Sequence, residues 1–116
     1  MGRLTTHVLD TALGLPAAGI DVVLYRVNTE REELARGRTN ADGRLDKPIL
    51  EGDALVAGVY ELIFQAGAYF RSQQRDLVEP LFVDEVVLRF GVNDPTRHYH
   101  VPLLVSPFAY STYRGS

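Results

Sequence analysis

The chain alternates between short apolar runs and turn-forming stretches, and the period of the apolar runs is two rather than three to four. "GVYELIF", residues 58–64, is the clearest case, with Tyr60, Leu62 and Phe64 sharing one face of a strand. In "VDEVVLRF", residues 83–90, Val86, Leu88 and Phe90 fall together, opposite Glu85, Val87 and Arg89. Leu4–Leu9, "LTTHVL", is short and β-branched, and "DTALGLPAAG" after it carries turn residues. Ile20–Val27 is apolar on both faces apart from Asp21 and Arg26, which predicts burial on both sides, one of them by another subunit. Glu32–Arg38 is polar enough for a sheet edge, and Asp42-Gly43 reverses the chain just before Arg44. The tail from His98 gives two more strands, broken near Ser106-Pro107. "AYFRSQQRDL", residues 68–77, is the one plausible helix. Seven or eight short strands with regular turn signals predict an all-β fold, an antiparallel β-sandwich of Greek-key type.

Composition narrows the function more by exclusion than by suggestion. The 116 residues are enough for one domain, residues 1–116. A formal charge of −3 offers no basic field for nucleic acid. The absence of cysteine excludes a disulfide scaffold, thiol catalysis and Cys-ligated zinc. No apolar run approaches transmembrane length, and the first residues lead into a strand rather than a signal peptide. The expected setting is therefore cytoplasmic, with no membrane partner. There is no Gly-rich phosphate loop.

The three histidines are His7, His98 and His100. His98 and His100 stand two apart on a strand and so project from the same side; His7 joins them if the first strand is their neighbour. This set supports a His₃ zinc site that activates water, or metal-free acid–base catalysis by an imidazole titrating near neutrality. Solvent-facing strand histidines satisfy the pattern equally well. Arg44, fixed by the turn before it, presents a fork of donors suited to a carboxylate, imide or ureide. Tyr110, Tyr113 and Arg114 fit either an edge strand or a ligand wall.

Four segments carry a family resemblance: "LTTHVLDTALGLPAAGI", "TNADGRL", "GVYELIFQAGAYF" and "HYHVPLLVSPFAYSTYRGS". Together they span nearly the whole chain, and it resembles the 5-hydroxyisourate hydrolases, the transthyretin-like proteins of purine catabolism. The terminal "YRGS" separates those hydrolases from the transthyretin hormone carriers. The resemblance implies two four-stranded sheets with a short helix, and a homotetramer crossed by a central channel. It implies a small-molecule substrate, 5-hydroxyisourate, whose cyclic amide is opened to 2-oxo-4-hydroxy-4-carboxy-5-ureidoimidazoline without metal or cofactor. Carried over by position, His7, Arg44 and His100 form the catalytic set, with Ser116 joining them from the tail. Tyr113 and Arg114 bind substrate alongside His7 and Arg44, and His98 is a channel residue. Two alternatives stand beside this reading: a transthyretin-type carrier of small ligands, and a zinc hydrolase built on the three histidines.

Overall fold

In a computed structural model that describes residues 1–73 and 75–115, two sheets enclose one apolar layer. The strands are β1 (Arg3–Asp10), β2 (Leu15–Pro16), β3 (Asp21–Val27), β4 (Arg31–Arg38), β5 (Leu50–Glu51), β6 (Gly58–Gln65), β7 (Glu85–Val92), β8 (His98–Ser106) and β9 (Ala109–Thr112). One sheet runs β4-β3-β6-β7 and is antiparallel throughout. The other runs β2-β1-β8-β9. The core is built from the alternate residues that the sequence pattern points inward: Leu4 and Val8, Val22 and Leu24, Tyr60, Leu62 and Phe64, Val86 and Leu88, Leu103 and Val105. Among the described residues no helix is long and apolar enough to cross a membrane.

The expected sandwich is found, and three details differ from the expectation. The second sheet has a fifth strand, because the two-residue β5 pairs with the same edge of β1 as β2 does. The central pairing of that sheet, β1 with β8, is parallel, which local patterning cannot show because the two strands are far apart in sequence. The helix, α1, spans Ala66–Ser72 instead of residues 68–77. It starts directly at the end of β6 because Ala66, Gly67, Tyr69 and Phe70 bury its inner side. Beyond it, Arg75 pairs with Asp10.

Asp10 is the electrostatic anchor of this end of the molecule. It is fully buried, accepts a 2.9 Å bond from the Tyr69 hydroxyl and two of 3.0 Å from the Ala12 and Leu13 amides, and pairs with Arg75. Burial alone would raise its pKa, but the bonds from Arg75, the Leu13 amide and Tyr69 outweigh it and hold the carboxyl below its ordinary value. Tyr69 is pushed up to about 12 by burial and by the carboxylate it touches.

The two-sided apolar character of β3 resolves differently on its two faces. Val22 and Leu24 enter the core, whereas Val23 and Tyr25 face outward and are half-buried. Beside them Glu61, buried on that outer face, is held by Arg89 at 2.9 Å and Arg31 at 3.5 Å, and Arg31 stacks on Tyr25. Part of the covering that the pattern assigns to another subunit therefore comes from cross-strand arginines of the same chain.

Candidate active site

The parallel β1–β8 register decides which side chains meet. It pairs Arg3 with His98, Thr5 with His100 and His7 with Pro102. With Leu4, Thr6 and Val8 committed to the core side of β1, Thr5 and His7 must project from the outer face. On β8, Tyr99, Val101 and Leu103 take the core side, so His98 and His100 also project outward. One sheet face thus carries all three histidines.

The turn after β4 brings in Arg44. Asn40 organises it, its side-chain oxygen accepting from the Asp42 and Arg44 amides at 2.9 and 3.2 Å. Gly43 is required twice over: its φ is +75°, and a Cβ there would lie 2.3 Å from the Val8 carbonyl oxygen. That close approach lets the Val8 amide bond the Gly43 carbonyl at 2.8 Å and places Arg44 in a β-bridge with His7. The result is a rigid mount for an arginine beside an imidazole.

The His7 and His100 imidazoles are each fixed by a specific partner. His7 Nε2 lies 2.9 Å from the Asp42 carbonyl oxygen, which can only accept, so this nitrogen carries the hydrogen. His100 Nδ1 lies 2.8 Å from Thr5 Oγ1. His100 is half-buried, and burial first, then the positive Arg44, then His7, lower its pKa from the ordinary 6.5. The shift favours the neutral ring, with a proton-accepting nitrogen, more than in an ordinary histidine. A cleft of about 220 Å³ opens beside this group, lined by Arg3, Thr5, Thr6, Arg44, Asp46 and Lys47.

The remaining expected residues are placed as follows. His98 is exposed and lines a different cleft, with Met1, Arg3 and Glu51. Tyr113 and Arg114 border a larger, mostly apolar cleft of about 420 Å³ between β7 and the tail, on the core side of the sheet. There the Arg114 guanidinium sits 4.4 Å over the Tyr99 ring. Within one chain neither residue is brought to the imidazoles. Ser116 lies outside the described residues. The tail residue that does reach the site is Gly115, whose amide bonds the His100 carbonyl at 2.8 Å.

Among the described residues no three His, Asp or Glu side chains converge as ligands for a metal. Of the three histidines in the zinc alternative, His98 faces its own cleft, while His7 and His100 each engage one ring nitrogen and keep the other. Thr5 and Gly115 are the two site residues that sequence reasoning missed. Thr5 was marked only by standing two residues before His7 on a strand, and Gly115 only by sitting inside "YRGS".

A transthyretin-type sandwich whose outer sheet face mounts two imidazoles and an arginine is the class that fold and site define. The model of the HIUase/Transthyretin family matches residues 4–115, and the chain belongs to that family. It is 57% identical over 117 residues to the 5-hydroxyisourate hydrolase of Pseudomonas aeruginosa, covering 100% of this chain and 93% of that protein. The structure of Klebsiella pneumoniae 5-hydroxyisourate hydrolase matches with a TM-score of 0.83 and 37% identity, over 100% of both chains. A structure of (S)-allantoin synthase matches 99% of this chain with a TM-score of 0.94 and 44% identity, and this chain spans 44% of its length. Sea bream transthyretin, in complex with thyroxine, matches at 0.87 and 27% identity, over 97% of this chain and 94% of that one.

Proposed function

We propose that this protein hydrolyses the cyclic amide of 5-hydroxyisourate by acid–base catalysis, with His7, Arg44 and His100 as the reacting set. The observation that carries the reading is the mounting of these three side chains on one sheet face, where burial and the positive Arg44 lower the His100 pKa. The high identity to proteins named 5-hydroxyisourate hydrolase supports the same substrate.

The reaction needs a base, an oxyanion partner and an acid. An imidazole takes a proton from water as its oxygen adds to the amide carbon. Arg44 faces the negative charge that develops on the carbonyl oxygen. The protonated imidazole then delivers its proton to the ring nitrogen as the carbon–nitrogen bond breaks. Such positioned proton transfer contributes typically about 10²–10⁴-fold. Tyr113, Arg114 and Ser116 complete the substrate pocket in this reading. A fold-level likeness to a thyroxine-binding transthyretin favours a carrier. His and Arg on the outer sheet face are poor walls for such a ligand, and hydrolysis accounts for them.

The reading includes a homotetramer with a central channel. Its support is the apolar surface that one chain leaves open: Leu13, Leu15, Phe82, Phe108 and Tyr110 are at least half exposed. β7 and β9 are also unpaired sheet edges on the same side of the sandwich. A cytoplasmic location belongs to the same reading, and fractionation of the source cells tests it. The function is tested by adding the purified protein to freshly generated 5-hydroxyisourate and following its ultraviolet decay, before and after treatment with a chelator. Acceleration that survives the chelator supports the reading; acceleration abolished by it, and restored by zinc, replaces it with a metal mechanism. Light scattering that finds a stable monomer at micromolar concentration overturns the assembly.

A further inference from the structure

Thr5 has no part in the reaction as written so far, yet it touches the residue at its centre. It stands directly across from His100 in the β1–β8 register, and its Oγ1 lies 2.8 Å from His100 Nδ1. The two imidazoles are thus tethered by different kinds of group. The Asp42 carbonyl at His7 only accepts, which commits His7 Nε2 to carrying hydrogen and leaves Nδ1 as its free nitrogen. A hydroxyl both donates and accepts.

That difference matters for an imidazole that must take a proton and then give it away. When Nδ1–H donates to Thr5 Oγ1, the lone pair of Nε2 is free to accept the proton of the attacking water. Once Nε2 is protonated, Nδ1–H still donates to the same oxygen, so the ring does not turn. If the ring enters the opposite neutral tautomer, the Thr5 hydroxyl donates to Nδ1 and Nε2–H is presented to the substrate. A carboxylate in the same place would hold the cation too strongly, and an apolar group would leave Nδ1 without a partner in a half-buried setting. We infer that Thr5 is a positioning residue that holds the His100 ring through both of its protonation states and presents Nε2 to the substrate. The inference rests on the catalytic assignment of His100.

The test compares Thr5→Val, which keeps the shape and β-branching of the side chain but loses the hydroxyl, with Thr5→Ser, which restores it. Thr5→Ala serves as a second deletion should valine disturb the packing. Loss of the bond is expected to lower kcat by about tenfold to a hundredfold with KM little changed, and serine is expected to recover most of the loss. Nitrogen-15 spectra of the imidazoles give a readout separate from activity. In the valine variant the His100 ring nitrogens should shift while those of His7 stay in place. Unchanged His100 nitrogen signals, or full turnover in a folded valine variant while His100→Asn is inactive, overturn the positioning role. Full turnover in His100→Asn overturns the catalytic assignment beneath it.

Discussion

Gly115 packs against the His100 ring so closely that a Cβ on it would lie 2.6 Å from His100 Cδ2 and 3.2 Å from Cγ. The same glycine bonds the His100 carbonyl through its amide, so backbone and ring are gripped together. The ring cannot simply swing aside, because Nδ1 is tethered to Thr5. Gly115→Ala is therefore expected to leave the fold intact and to displace the imidazole, cutting turnover by about a hundredfold. Turnover and circular dichroism of the variant check both halves of this expectation.

The tail as a whole follows the same logic. Residues 113–115 include the stack of Arg114 on Tyr99 and the Gly115 contact with His100. A chain ending at Thr112 should stay folded and lose most hydrolase activity, although terminal residues seldom matter to stability. Equal turnover of the full and shortened chains, at matched concentration, would reduce the tail to a strand end.

The protonation of His100 gives a pH prediction with a definite sign. Burial, Arg44 and His7 all oppose the imidazolium, so His100 should titrate below the ordinary 6.5. Arg44→Gln removes one of the opposing charges, and the midpoint should move to higher pH. A proton NMR titration of the His100 ring measures it directly. A midpoint that falls, or stays fixed, in the glutamine variant contradicts the electrostatic picture of the site.

Much of this is legible in the sequence. Strand faces followed from the alternation in residues 58–64 and 83–90, because each strand has a buried and an outer side. The Asp42-Gly43 turn was legible from its dipeptide, and it does mount Arg44. What could not be read was register between distant strands: nothing local pairs Thr5 with His100 or brings Gly115 to the same ring. The end of α1 was missed for a similar reason, since the partner of Arg75 is Asp10, on the first strand. The family resemblance supplied the expectation that Tyr113 and Arg114 line the substrate pocket. In the single chain they border the inter-sheet cleft instead.

Asp10 carries a stability prediction independent of catalysis. Asp10→Ala would leave Arg75 and Tyr69 without their acceptor and should cost roughly 3–5 kcal/mol, as removal of one partner from a buried pair does. Because the carboxyl is held below its ordinary 3.8, its contribution is present above that pH and is lost as the pH falls through the lowered value. Urea unfolding of wild type and variant near neutrality, repeated in acid, should show the gap between them closing as the pH drops.

The central claim is that the His7–Arg44–His100 face hydrolyses 5-hydroxyisourate, and one rate comparison tests it most directly. Freshly generated 5-hydroxyisourate is mixed with equal concentrations of wild type, His7→Ala or His100→Ala, and the ultraviolet decay is followed. Wild type should accelerate the decay, and each variant, still folded and assembled as wild type is, should be slower by at least about a hundredfold. Decay no faster with wild type than in buffer, or a His100→Ala protein as fast as wild type, would contradict the account.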